Sequence, residues 1–449
     1  MWLSGIHRSA FIVQHFPMYL DTPARIAILG AGSIGLEAAL YARYLGYDVD
    51  LYERGQVAEH VRRWGHARMF TPFRLNRSPL ALAALKAQDE SHQPPGDEEF
   101  LTGREYADRY LVPLAQSDLL SDSIHSGVEV LAIGREGVLK TELVGDEARG
   151  ETPFRLLLRE ANGQERIANA DAVIDCTGTH GYHNWLGEGG IPAIGETAAA
   201  PHIEYGLPDV LDREREKYAR RHTLVIGAGD SAAATVTALA DLGRQVPDTW
   251  ITWVTREEPS PVEPGSGPSG AVPTGPVRCD PTDPFLARQQ TARAANRLTV
   301  GDADHVTYRP GTSVESVRWH DDLAQFVVRL IGKHAGELQV ERIVANVGHR
   351  PNDRLYAELQ VKQCYATGGS LRLATALSKL SSRGELASFQ VDADMLLSPE
   401  PRFFVLGAKS FGRNSNFLLS IGLDQIRAVF SILGDRAELN LYATMAQAT

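Results

Sequence analysis

Two glycine-rich turns, each set between a short apolar run and an Ala-rich stretch, constrain this chain more than any other feature of its 449 residues. The first, Gly30-Ala31-Gly32-Ser33-Ile34-Gly35, follows the apolar run Ile26 to Leu29 and precedes Leu36 to Leu45. The run reads as a buried parallel strand, and the stretch after it as a helix. Tyr47 to Tyr52 alternates, reads as the next strand and ends at Glu53. Together they make one strand–helix–strand unit of about 30 residues. The second turn, Gly227-Ala228-Gly229-Asp230-Ser231-Ala232, repeats the plan 197 residues on, counted from Gly30 to Gly227. Here Thr223 to Ile226 is the strand, Ala233 to Leu242 the helix and Trp250 to Thr255 the following strand.

A Gly-x-Gly-x-x-Gly pattern alone says little, but its setting here is the one a dinucleotide needs. The first glycine makes the tight turn, the second lets the backbone approach a pyrophosphate, and the third lets the helix pack closely on the strand. The helix N-terminus then presents free N–H groups and a positive dipole end to the phosphates. Glu53 stands about 20 residues on, where a carboxylate holds a ribose hydroxyl pair. In the second turn Ala232 replaces the third glycine, a variant that still packs closely.

The two units differ at the end of their second strands. Aligning Leu51-Tyr52-Glu53-Arg54 with Trp253-Val254-Thr255-Arg256 puts Thr255 where the first unit has its acid. Without that acid a 2′-phosphate is not repelled, and Arg256 can pair with it. This favours NADPH, with NADH as the alternative donor. Arg256 also reads as a solvated strand-end charge, and Glu257 and Glu258 follow it directly.

A formal charge of −11, spread along the chain, argues against a nucleic-acid or anionic-membrane partner. No apolar run approaches the length of about 18 residues that a membrane span needs. Cys176, Cys279 and Cys364 are far apart and form no Cys-x-x-Cys, so neither a local redox disulfide nor a zinc ribbon is indicated. A sparse, odd set suits a reducing cytoplasm. Met1 to Leu20 lacks a signal-peptide core and reads as a loosely attached extension or the product of an early start codon. Pro259 to Pro284, crowded with Pro, Gly and Ser, reads as a long loop: a lid, a binding loop or a disordered stretch.

Further strands are expected at Val128 to Ile133, Phe154 to Arg159, Ala172 to Ile174, Phe326 to Ile331, Arg342 to Val347 and Arg402 to Leu406, and a long amphipathic helix at Phe417 to Leu433. With both fingerprints, the stretches Val173-Ile174-Asp175-Cys176-Thr177-Gly178, Ala345-Asn346-Val347-Gly348-His349-Arg350-Pro351-Asn352 and Phe404-Val405-Leu406-Gly407 complete a pattern. It resembles the two-dinucleotide-fold flavoproteins that use FAD and NAD(P)H, and within them the flavin-containing monooxygenase-like branch. The resemblance runs from Arg25 to about Gly434. It implies an α/β fold with two Rossmann-like dinucleotide-binding domains, the FAD domain being split by an inserted NAD(P)H domain. Residues 1–23 would be an extension, 24–200 the first part of the FAD domain, 201–345 the NAD(P)H domain and 346–449 the second part of the FAD domain.

On this reading FAD is held by Gly30, Gly32, Ser33, Ile34, Gly35, Glu53, Arg54, Trp64, Val130, Thr177, Gly178, Gly407, Asn416 and Phe417. NADPH is held by Gly227, Gly229, Asp230, Ser231, Ala232 and Arg256. The helix from near Asn416 would aim its N-terminus at the flavin. Trp64 and Phe70 lie where relatives bring a loop along the flavin face, and Lys409 and Asn414 either face the same site or sit in a solvated loop. His66 and His202 are the candidate catalytic groups; His66 either relays a proton or packs in an aromatic crossing. Gly195, His202 and Tyr205 are similar to a stretched monooxygenase fingerprint, without its leading Phe.

The resemblance implies that NADPH reduces FAD, which reacts with dioxygen to a peroxyflavin that oxygenates a small N- or S-nucleophile or a carbonyl compound. Two alternatives stay open. One is a flavin reductase or oxidase passing electrons to an acceptor without a redox disulfide; the other is a redox sensor that binds nucleotides and barely turns over. The expected partners are a small-molecule substrate and dioxygen, with no metal, nucleic acid or membrane, and a homodimer remains open.

Overall fold

The computed structural model describes residues 18–258 and 275–446. Most of the N-terminal extension and residues 259–274 of the Pro/Gly-rich stretch lie outside the described residues. Strand β1 (Arg25–Leu29) pairs in parallel with β2 (Asp48–Glu53) on one side. Beyond β2 lies β3 (Ile124–Ser126). An antiparallel sheet follows, of β4 (Glu129–Arg135), β5 (Phe154–Arg159) and β6 (Glu165–Ala170). Strand β7 (Ala172–Asp175) then returns to the other side of β1.

The second unit repeats this arrangement. Strand β8 (His222–Ile226) lies beside β9 (Trp250–Val254), which pairs with β10 (Val306–Arg309). The antiparallel trio β11 (Thr312–His320), β12 (Gln325–Gly332) and β13 (Gly336–Val340) leads into β14 (Arg342–Ala345), which closes on β8. Finally β15 (Phe403–Val405) joins β7, completing the order β15-β7-β1-β2-β3, while the separate second sheet has the order β10-β9-β8-β14.

Strand alternation explains the layering. Ile26 and Ile28 face a core built with the helices Ser33–Tyr44 and Leu419–Leu433. Ala27 and Leu29 face the β4–β5–β6 sheet instead. In the second unit Val225 packs with the helix Asp230–Gln245, while Leu224 and Ile226 pack under β11–β13. Each parallel sheet is therefore buried on both faces, which is why its strands read as continuous apolar runs. Both fingerprint strands sit where the strand order of their sheet reverses, so each has a crevice beyond its carboxyl end.

The connection between the units belongs to the second core. Leu186, Ala193, Ala199 and Ile203 pack with β8 and β11–β14. Single bridges tie Gly187 to Val314, Ile194 to Ser316 and Glu204 to Val344. The boundary expected at residue 200 thus falls inside a segment that already packs on the second unit. The buried Glu196 carboxylate holds this segment, accepting from Leu186 N, Ala193 N and the Tyr205 hydroxyl.

Glu37, in the helix after the first turn, is 3% exposed. Burial pushes its carboxyl from 4.5 up to about 7, only partly offset by Ser78 and Tyr442 beside it. The folded state therefore binds this proton more tightly than the unfolded chain does. The stability it confers is complete below about pH 4.5 and is lost as pH rises through about 7, on the order of 3 kcal/mol in all. Glu37→Gln is expected to flatten this decline. Unfolding free energies of variant and wild type should converge at acid pH and separate, in the variant's favour, by pH 8.

Candidate functional site: two uncapped glycine turns and an interdomain cleft

Both turns open on a glycine in the left-handed region, Gly30 at φ +94° and Gly227 at +133°. Each crosses tightly over the strand that returns to its sheet. A Cβ on Gly30 would lie 2.9 Å from the Cys176 carbonyl oxygen, and one on Gly227 2.2 Å from that of Asn346. The third position is crowded in the first unit, where a Cβ on Gly35 would lie 1.8 Å from the Gly30 oxygen. By contrast, a Cβ on Gly32 or Gly229 would meet nothing within 4 Å. These two glycines are also the N-caps of their helices, and no side chain caps either end. First-turn N–H groups and open space therefore coincide, which is what a pyrophosphate requires.

Glu53 stands beside the first turn. Its Oε2 accepts from Ala31 N at 2.9 Å and its Oε1 from Gly55 N at 2.8 Å, fixing the carboxylate at the end of β2. Arg54 is exposed and 3.8 Å from Glu129. Ile34 packs between Gly407 and Gly422, so the first fingerprint helix rests against both the last-strand turn and the C-terminal helix. In the second unit Thr255 is buried, donating to Glu257 O and bonded to the Tyr308 hydroxyl at 2.9 Å. Arg256 is exposed beside it, and Glu258 is engaged by Lys333 at 3.0 Å rather than by Arg256. The Trp253 indole donates to Gly227 O at 2.8 Å and steadies the turn.

A cleft of about 4370 Å³ lies between the units. Its lining includes Gly227, Gly229, Asp230, Ser231 and Arg256 from the second unit, and Trp64, His66, Phe70, Asn414 and Phe417 from the first. Gly30, Gly32, Ser33 and Glu53 are half-exposed and outside that lining. Trp64 packs on Gly103 while facing the cleft. His66 is half-buried, its Nδ1 has no partner, and burial lowers its pKa, so the imidazole is neutral at neutral pH.

Four expectations need correction. His202 is exposed, absent from the cleft lining, and stacks on Trp319 of β11 at 4.3 Å between ring centres. Val130 points into the core under β4–β6, so its side chain does not face a ligand. Lys409 faces neither cleft nor solvent: its ammonium is fully buried, 2.5 Å from Asp175 Oδ2 and 3.0 Å from Thr177 Oγ1. The C-terminal helix begins at Leu419, not near Asn416, whose amide N–H donates to Asn414 Oδ1.

The sequence reading also missed a ladder of histidines on the cleft wall. His60, His180 and His349 come from three separate segments, with ring centres 5.9 Å and 4.8 Å apart along the series. Burial first, then neighbouring positive charge, pushes His60 down to about 4. His349 is pushed down to about 4 by burial, then by His180 and His183. Only His180 and His349 carried a sequence signal, His180 lying just after the first stretch that returns the chain between units and His349 within the second.

These features define a two-dinucleotide α/β protein. No family model matches the sequence, and no curated protein is significantly similar to it. Solved structures share the fold at low identity. Bacillithiol disulfide reductase from Bacillus cereus superposes with a TM-score of 0.60 at 14% identity, covering 95% of this chain and 99% of that one. The FAD-bound cadaverine monooxygenase of desferrioxamine biosynthesis from Erwinia amylovora gives 0.58 at 14%, covering 93% and 95%. The Kutzneria ornithine N-hydroxylase, with reduced FAD, NADP+ and L-ornithine, gives 0.54 at 16%, covering 91% and 98%. The chain has the fold of the two-dinucleotide flavoproteins, mixed α/β with two parallel-strand sheets.

Proposed function

We propose that the chain is an FAD- and NADPH-dependent oxidoreductase that oxygenates a small N- or S-nucleophile or a carbonyl compound. The observation that carries this reading is the second fingerprint turn opening onto the same cleft as Trp64, His66, Phe70 and Phe417 of the first unit. The residues present fit both cofactors. Gly32 and Gly229 leave room at uncapped helix ends, Glu53 is fixed for a ribose, and Thr255 and Arg256 leave a 2′-phosphate unopposed. FAD, when bound, supplies the acceptor for hydride and, once reduced, the chemistry with dioxygen.

The chain's own side chains orient, shield and move protons. Trp64 and Phe70 supply apolar wall, and Phe417 packs edge-on to Phe411 at 5.4 Å beside the start of the C-terminal helix. His66 offers an unpartnered ring nitrogen that can take up a proton at Nδ1. All three cysteines are free and none is paired with another. Cys176 is buried behind the first turn, where burial pushes its thiol well up, so no thiol pair serves the first unit. This favours transfer to oxygen over transfer to a disulfide.

The test is to follow NADPH and oxygen consumption by the flavin-loaded enzyme against a panel of amines, sulfides and ketones. Oxygenated product matching NADPH consumed supports the reading. Fast reduction of artificial acceptors with no product from any panel member overturns it in favour of a reductase.

A further inference from the structure

One charged cluster, which meets the cleft at Asp230, is not used by this mechanism. The short helix Arg383–Ala387 belongs to the first unit, because Leu386 packs in the core beneath the first fingerprint helix. Its opposite side reaches the second unit. Arg383 N donates to Asp280 Oδ2 at 3.0 Å, and Arg383 Nη1 to Asp283 Oδ2 at 3.0 Å. Arg383 Nη2 lies 3.4 Å from Asp230 Oδ2. A Cβ on Gly384 would lie 3.0 Å from the Thr282 oxygen, so the two segments are in close contact.

Asp230 is the first residue of the second fingerprint helix. Its carboxylate therefore sits at the uncapped end where a nucleotide pyrophosphate would bind, and unpaired it would repel that anion. The Arg383 side chain is only 15% exposed. Asp283, 1% exposed and itself bound by Arg288 Nε at 2.6 Å, fixes its aim. The guanidinium does not itself line the cleft, so it acts on the nucleotide site through Asp230, which does.

We propose that Arg383, carried by the first unit, neutralises Asp230 at the helix end that receives the nicotinamide nucleotide's pyrophosphate. The nucleotide site is then complete only when the two units are apposed, and nucleotide binding clamps them together. Asp283 holds the guanidinium against Asp230. This rests on the proposed nicotinamide nucleotide site, and the test separates the two.

Affinities of the flavin-loaded protein would be measured by calorimetry for NADP+ and for adenosine 2′-monophosphate, which lacks the pyrophosphate. Arg383→Ala is expected to weaken NADP+ on the order of 10- to 100-fold, with adenosine 2′-monophosphate hardly changed. Arg383→Lys keeps charge but not the fork and should fall between, and Asp230→Asn should tighten NADP+. If the alanine variant does not accumulate, the lysine and asparagine variants decide. Unchanged NADP+ affinity, or an equal loss for both probes, would overturn the assignment and leave Arg383 a structural clasp. A wild-type protein that binds neither probe would remove the nucleotide reading and this assignment with it.

Discussion

Glu400→Leu is expected to destabilise the first unit by about 3–5 kcal/mol, because it strips the shared partner from two buried guanidinium groups. Arg135 Nε donates to Glu400 Oε1 at 2.8 Å, and Arg149 Nε to Oε2 at 3.0 Å. The backbone N–H of Gln360 adds a third contact, to Oε2 at 2.7 Å. The Glu400 and Arg135 side chains have no exposed surface and that of Arg149 has 1%. Arg135 also lies over the Phe154 ring, 3.6 Å from its centre, and donates to the Thr152 and Pro401 carbonyls. Neither guanidinium can reach water without opening the packing between β4–β6 and β15. Changing all three side chains to apolar ones of similar volume should recover much of the loss, since a buried triad gains little over good packing. Urea unfolding followed by circular dichroism reads the effect. A shift of less than about 1 kcal/mol would mean that the arginines find other partners. The consequence reaches the site, because β15 runs straight into Gly407, against which Ile34 of the first fingerprint helix is packed.

That triad also shows where the sequence stops being readable. Arg135 and Glu400 are 265 positions apart, and nothing local to either marks it as buried. The central parallel strands were legible because burial on both faces makes them continuous apolar runs. Strands β6 and β13 were not, since they are edge strands with mostly exposed residues. Strand β11 was missed because the irregularity between Val314 and Ser316 breaks its alternation. Within the site, the two glycine turns and the strand-end residues Glu53 and Arg256 followed from spacing alone. His202 was misplaced because a stretched spacing matched a pattern without the packing that makes it meaningful. Lys409 read as either a site contact or a loop lysine, yet the acid in the apolar run Ala172–Asp175 was a signal that some buried cation must meet it. Arg383 gave no signal at all, since its partners Asp230, Asp280 and Asp283 lie about 100 or more residues away along the chain.

Gly32→Ala and Gly35→Ala should both cost the protein the FAD proposed for it, for different reasons that one pair of measurements separates. A methyl at Gly35 would lie 1.8 Å from the Gly30 carbonyl oxygen and 3.0 Å from its carbon. Both are backbone atoms at the floor of the turn, so neither can rotate aside. The helix Ser33–Tyr44 must lift from β1, and with it go Ile34's contacts to Gly407 and Gly422. Gly35→Ala should therefore lower both the unfolding midpoint and the flavin content. A methyl at Gly32 meets no protein atom within 4 Å, so the fold should be untouched. It would instead occupy the space through which a pyrophosphate reaches the first-turn N–H groups. Overpacking of about 1–3 kcal/mol against the ligand alone should weaken FAD on the order of 5- to 150-fold. The expected Gly32→Ala protein is thus well folded, melts like wild type and is isolated pale or colourless. Full flavin content in that variant would mean that the pyrophosphate does not approach this turn, and the first fingerprint would have to be read as a packing device rather than a ligand site.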